Sequence, residues 1–161
     1  TTLTWWGSLV RVQSRLPILP PMPSPVPIVP KARDMARRME IALDTGAVLE
    51  VELVEGAASS ALLAALPLDL AMSRWGDEYY GSLPVTLPAG GKKREEYAVG
   101  EVALWPPGNA FCIFFGPTPA SHGDEPRMAS PGVPLGRIVS PTEPLKRLGA
   151  SVRLTLRAPR S

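Results

Sequence analysis

Residues Gly100 to Pro119 read GEVALWPPGNAFCIFFGPTP. Val102, Leu104 and the run Ala110 to Phe115 are too apolar to face solvent, while Pro106, Pro107 and Gly108 continue neither a helix nor a central strand. The segment therefore predicts a core hairpin, two buried strands around a proline corner. It marks a β fold without naming a reaction.

Downstream, Pro117 to Pro134 is dense in Pro, Gly and Ser and reads as a long loop, the place for a lid or groove wall. Gly136 to Val139 predicts a short strand, Pro141 to Leu148 a short helix, and Val152 to Arg157 a closing strand in which Val152, Leu154 and Leu156 alternate. Upstream, Met39, Ile41 and Leu43 share one face, Asp44-Thr45-Gly46 supplies a turn, and Val48 to Val54 returns with Glu50 and Glu52 outward. Gly56 to Leu66 is rich in helix formers and stops at Pro67, with Leu62, Leu63 and Leu66 turned inward. Leu68 to Trp75 and Tyr79 to Leu87 both read as strands. Pro88 to Arg94, PAGGKKR, reads as a solvated hairpin tip, because no following helix or Gly-Lys-Ser/Thr completes a phosphate loop. A mostly β chain with two short helices fits a closed barrel whose ends the helices plug.

At 161 residues and 45% hydrophobic content, one domain with a full core is expected. Cys112 is the single cysteine, so no intrachain disulfide forms, and its Phe-Cys-Ile-Phe-Phe setting reads as a buried hydrophobe. With His122 the only histidine, a Cys/His zinc site has too few ligands, so neither metal nor cofactor is expected. No apolar run approaches the roughly 18 residues of a membrane span, and Arg11, Arg15 and the prolines interrupt any signal-like stretch. A cytoplasmic location away from membranes is the expectation. Arg outnumbers Lys, and Asn109 and Gln13 are the only amides, a thermophile-like composition that a GC-rich coding bias would also produce.

The chain changes character near Arg38. Leu16 to Lys31, LPILPPMPSPVPIVPK, favours polyproline II geometry and joins neither helix nor sheet. Residues 1–38 thus read as an extended or disordered basic arm, and 39–158 as the folded domain. Of 17 basic residues six precede Met39, against Asp34 alone of 15 acids; 11 basic and 14 acidic residues remain, a net charge of about −3. The body has no basic stripe, which argues against nucleic acid as a partner. The arm carries PxxP spacings suited to an aromatic groove; alternatively, Met35 or Met39 is the native start and the arm a non-native leader.

In order and motif the body resembles a cyclophilin-type barrel. Val133 to Leu148, VPLGRIVSPTEPLKRL, is similar to that family's Phe-Gly-Lys-Val strand running into its second helix. Gly108-Asn-Ala-Phe-Cys-Ile-Phe-Phe resembles the strand that lines the cyclophilin groove. Trp75-Gly-Asp-Glu-Tyr-Tyr, taken with Leu104-Trp-Pro-Pro-Gly, looks closest to a short prokaryotic branch of cyclophilin-like proteins with no assigned activity. The resemblance spans about Met39 to Arg157. It implies a closed cyclophilin-like β-barrel with a ligand groove, preceded here by the Pro-rich arm.

Cyclophilins isomerise X-Pro bonds with an Arg beside a proline pocket, in a Phe-His-Arg strand followed by Gln-Gly-Gly-Asp. The matching region here is Met72-Ser-Arg-Trp-Gly-Asp-Glu-Tyr-Tyr, which keeps Arg74 and lacks the Gln-Gly-Gly. Such an isomerase lowers a barrier of about 18–20 kcal/mol by gripping the prolyl ring and donating to its nitrogen. Arg74 is the candidate donor. Phe111, Ile113 and Phe115 are the candidate groove wall, with Tyr80, Trp105 and Asn109 beside it and His122 on the long loop. Three readings stand: a groove that binds a peptide or small molecule, a divergent prolyl isomerase, and a subunit that self-associates into a homo-oligomer. Ser121, His122 and Asp124 lie too close in sequence for a catalytic triad, and Asp77 with Glu78 reads as a solvated turn pair rather than a cation site.

Overall fold

The computed structural model describes residues 37–160, so the Pro-rich arm expected over 1–38 lies almost wholly outside the described residues. Nine strands, β1 (Arg38–Leu43), β2 (Val48–Leu53), β3 (Leu68–Arg74), β4 (Glu78–Ser82), β5 (Arg94–Glu96), β6 (Glu101–Trp105), β7 (Ala110–Phe114), β8 (Arg127–Ile138) and β9 (Ser151–Arg157), form one antiparallel sheet. Its order is β2-β1-β9-β3-β4-β7-β6-β8-β5, and pairing of β2 with β8 closes the first eight members into a barrel. Among the described residues, α1 (Ala57–Ala65) and the single-turn α2 (Glu143–Lys146) are the two α-helices. This is the mainly β, closed barrel with two short helices that the sequence leads one to expect.

Alternation sets the interior. Met39, Ile41 and Leu43 of β1, Leu68, Leu70 and Met72 of β3, and Val152, Leu154 and Leu156 of β9 are buried in one cluster, while the residues between them face outward. Leu62 of α1 and Leu145 of α2 are fully buried against the same cluster. The turn between β1 and β2 forms at Asp44-Thr45-Gly46, with Gly46 at φ +97°.

Three elements differ from the sequence reading. The loop expected over Pro117 to Pro134 gives way at Arg127 to a 12-residue strand, β8, that runs on to Ile138. Pro131 and Pro134 read as breakers, but the strand changes partners along its length, from β5 to β6 to β2, and its pairing with β6 shifts register next to Pro134. At such an irregularity a missing N–H is tolerated. Likewise Arg94, expected to end a solvated tip, begins β5, which pairs with the first half of β8, and β4 ends at Ser82 rather than Leu87.

The proline corner is a 3-10 turn, Pro106–Gly108, that ends on Asn109 at φ 46°. The Asn109 side chain donates to the carbonyl of Val85 at 2.8 Å and accepts from the N–H of Leu87 at 3.3 Å, tying the chain after β4 to the corner. Asn109→Ala is expected to cost about 2 kcal/mol, combining left-handed strain with lost bonds, and Asn109→Gly only about 1 kcal/mol. Thermal melts of the two variants check this; equal losses would show that the backbone conformation is not what Asn109 contributes.

Candidate functional site

The β3–β4 connection is a two-residue hairpin turn. Trp75 and Glu78 exchange backbone hydrogen bonds (2.8 and 3.2 Å) around Gly76-Asp77, and Gly76 takes φ +62° at the first central position. Loop 116–119 packs against this turn: a Cβ on Gly76 would lie 2.8 Å from Pro119 Cδ, and one on Gly116 would lie 2.3 Å from Asp77 Oδ2. Trp75 and Glu78 are thereby held at the barrel's outer surface. Across the sheet, Tyr80 stands opposite Cys112, which stands opposite Ala103, and Glu78 opposite Phe114.

Outside the barrel, Tyr97, Ala103, Ala110, Cys112, Phe114 and Met128 form a second small core with Trp105 at its edge. Tyr97 stacks on Phe114 with ring centroids 4.7 Å apart. Beside it lies a cavity of about 210 Å³ lined by Trp75, Glu78, Tyr80, Trp105, Cys112, Met128 and Ala129. Trp105 Nε1 donates to Ser130 Oγ at 2.8 Å, which fixes the indole. Tyr80 is 40% exposed, whereas Glu78 is 3% exposed.

Glu78 is the unusual member. Its Oε1 is buried without a hydrogen-bond partner. Burial pushes its carboxyl up to about 7, opposed in part by the Cys112 thiol. Burial likewise pushes the Cys112 thiol well up, with the Glu78 charge adding to the effect, so Cys112 is no reactive thiolate. The solvated reading of Asp77 and Glu78 is thus corrected: Glu78 is buried, and Asp77 accepts a hydrogen bond from Arg74 at 2.9 Å.

Of the residues expected at a groove, the cavity brings together Tyr80 and Trp105. Phe111, Ile113 and Phe115 lie instead in the barrel interior, each at most 1% exposed, because the opposite face of β7, carrying Ala110, Cys112 and Phe114, is the outer one. Arg74 is not in the cavity lining. Its guanidinium donates to the carbonyls of Gly76 and Leu148, each at 2.9 Å, pairs with Asp77, and lies 5.1 Å from the Phe115 ring centroid. These contacts make it a clamp across the barrel end. Asn109 serves the proline corner. On the long loop the His122 N–H donates to Glu125 Oε1, and that bond with its neighbours holds the Glu125 carboxylate down to about 2. Ser121 donates to the Glu125 carbonyl and accepts from the Thr118 N–H, so it engages no histidine.

Sequence reasoning missed Glu78, Trp75, Cys112 and Met128 as neighbours. The available signal was a carboxylate at the start of a strand whose next two residues are both Tyr, a pattern that leaves the inward face undecided.

Among the described residues no helix is long and apolar enough to cross a membrane. No match was found among curated proteins. A solved structure, that of the hypothetical protein AF2241 from Archaeoglobus fulgidus, is similar at 33% identity and a TM-score of 0.68, covering 81% of this chain and 100% of that one. The sequence profile of the family described as Cyclophilin-like matches residues 37–157, and the chain belongs to that cyclophilin-like family.

Proposed function

We propose that the protein is a binding module and that the cavity between β4, β7 and the start of β8 receives a small molecule or one side chain of a peptide. The observation that carries this reading is a buried carboxyl oxygen without a partner in an otherwise apolar, aromatic-lined concavity. Leaving a buried polar atom unpaired is costly, and a site that tolerates the cost is suited to an incoming partner. The volume of about 210 Å³, below the range of drug-sized ligand pockets, suits a small ligand or a single side chain rather than a folded segment. Binding fits this arrangement better than isomerisation, because the Arg74 N–H groups are committed to Gly76, Leu148 and Asp77.

The test is an NMR fragment screen on the full chain that follows the indole N–H signals of Trp75 and Trp105. Fragments are expected to move those signals in wild type and to lose the effect in Ala129→Phe, which fills the exposed rim of the cavity. Fragments that perturb other surfaces and leave both indoles unmoved would overturn the reading.

A further inference from the structure

The chemistry of the lining narrows the ligand class. Trp75, Tyr80 and Trp105 supply three aromatic rings, Met128 and Ala129 add apolar surface, and Glu78 supplies the one carboxylate. No Lys, Arg or His is among the lining residues, so an anionic ligand finds no charge partner there. The arginines next to lining residues in sequence are engaged: Arg74 with Asp77, and Arg127 with Glu95, Glu96 and Glu125. Trp105 has given its N–H to Ser130, which leaves its π surface as what it offers a ligand. Aromatic faces attract cations, most strongly where water is excluded, and a carboxylate completes such a site with a charge-assisted hydrogen bond.

We propose that the cavity is an organic-cation site, in which Glu78 receives the ammonium group of a primary amine and Trp75, Tyr80 and Trp105 enclose its hydrocarbon chain. This rests on the binding reading above and adds the sign of the ligand's charge. The ammonium belongs to a free alkylamine or to a lysine side chain, and both fit about 210 Å³.

Glu78 is the group that titrates near neutrality here. Cys112 on β7 and Tyr97 from the β5–β6 connection, which also face it, are both shifted upward by burial and stay neutral, and Asp77 beside it accepts a hydrogen bond from Arg74. Affinity for a cation therefore rises with pH as Glu78 ionises.

The experiment titrates the full chain with n-butylammonium, n-butanol, butyrate and Nα-acetyl-lysine amide, reading the Trp75 and Trp105 indole signals at about pH 8 and about pH 5.5. Butylammonium is expected to bind about tenfold or more tighter than butanol at the higher pH, the low end for a charge-assisted bond, and to lose that advantage at the lower pH. Glu78→Gln is expected to level the two ligands at both pH values, and the wild-type pH series carries the test if that variant does not fold. Binding of the lysine amide as tightly as butylammonium supports a peptide lysine as the source; binding of butylammonium alone supports a free amine. Equal binding of butanol and butylammonium, or a preference for butyrate, overturns the cation inference and leaves the pocket reading standing. If no compound moves either indole, both fall.

Discussion

Gly136→Ala is expected to destabilise the protein by about 3 kcal/mol or more, the upper range for an overpacked core position, and to lower Tm by about 10–20 °C. Gly136 sits in β8 between two partners, Leu53 of β2 and Val102 of β6. A Cβ there would lie 2.2 Å from the Glu52 carbonyl oxygen and 2.8 Å from Leu53 Cα. Both obstacles are backbone, so no side-chain rotation relieves the clash, and the strands themselves must part. The β2–β8 pairing is the seam that closes the barrel, through Val51, Leu53 and their partners. Gly90→Ala is the control: nothing lies within 4 Å of its would-be Cβ, and its expected effect is within about 0.5 kcal/mol. Urea and thermal unfolding of the two variants check the contrast. A Gly136→Ala protein melting with wild type would mean that the strands do not approach as described.

Stability is expected to fall by roughly 3 kcal/mol as pH rises from about 4.5 to about 7, and Glu78→Gln to abolish that slope. The Glu78 carboxyl is raised from 4.5 to about 7 by burial, so in this window the folded protein holds a proton that the unfolded chain has released. Stability is then highest below the unfolded value and declines until the folded value is passed, after which it levels. Carboxylates shifted the other way act elsewhere. Glu125, held down to about 2, and Glu40, held down chiefly by Arg157, favour folding above the ordinary carboxylate value and lose that contribution only as pH drops toward their folded values. Gln at position 78 also buries an amide, which shifts the whole curve by a constant; the informative quantity is the difference in slope between the two proteins from chemical denaturation at several pH values. A wild-type slope equal to that of the variant would show that Glu78 ionises freely in the fold.

The strands whose inward side was read correctly in advance are those with one wet face. In β1, β3 and β9 a polar or small residue follows each buried one, so period two names both the element and its inward side. The same rule is silent on Ala110 to Phe114, because every residue there is buried, the odd-numbered against the barrel interior and the even-numbered under the outer cluster. That is why Phe111, Ile113 and Phe115 seemed an attractive wall, whereas Cys112 on the opposite face lines the cavity. Tyr79 and Tyr80 present the same ambiguity, one 0% and the other 40% exposed. Glu78 was read as solvated for a different reason. A carboxylate after Gly76-Asp77 belongs in water by every local preference, yet Glu78, opposite Phe114 and beside Cys112 of β7, is only 3% exposed. β8 was hidden by its own prolines, which are admissible because the strand keeps changing partners.

The pairing of the first strand with the last has a kinetic consequence. Glu40 and Arg157 are partners across β1 and β9 although 117 residues separate them, and their side chains meet at 2.9 Å. At about 5–20 residues per second, a ribosome needs roughly 6–23 s to supply β9 after β1 has been made. Throughout that interval β1 has β2 on one side and a bare hydrogen-bonding edge on the other, with Met39, Ile41 and Leu43 lacking the neighbours that later cover them. The nascent barrel is therefore at its most adhesive before β9 emerges, and pairing β9 with β1 is a non-local closure of the kind that makes β topologies slow.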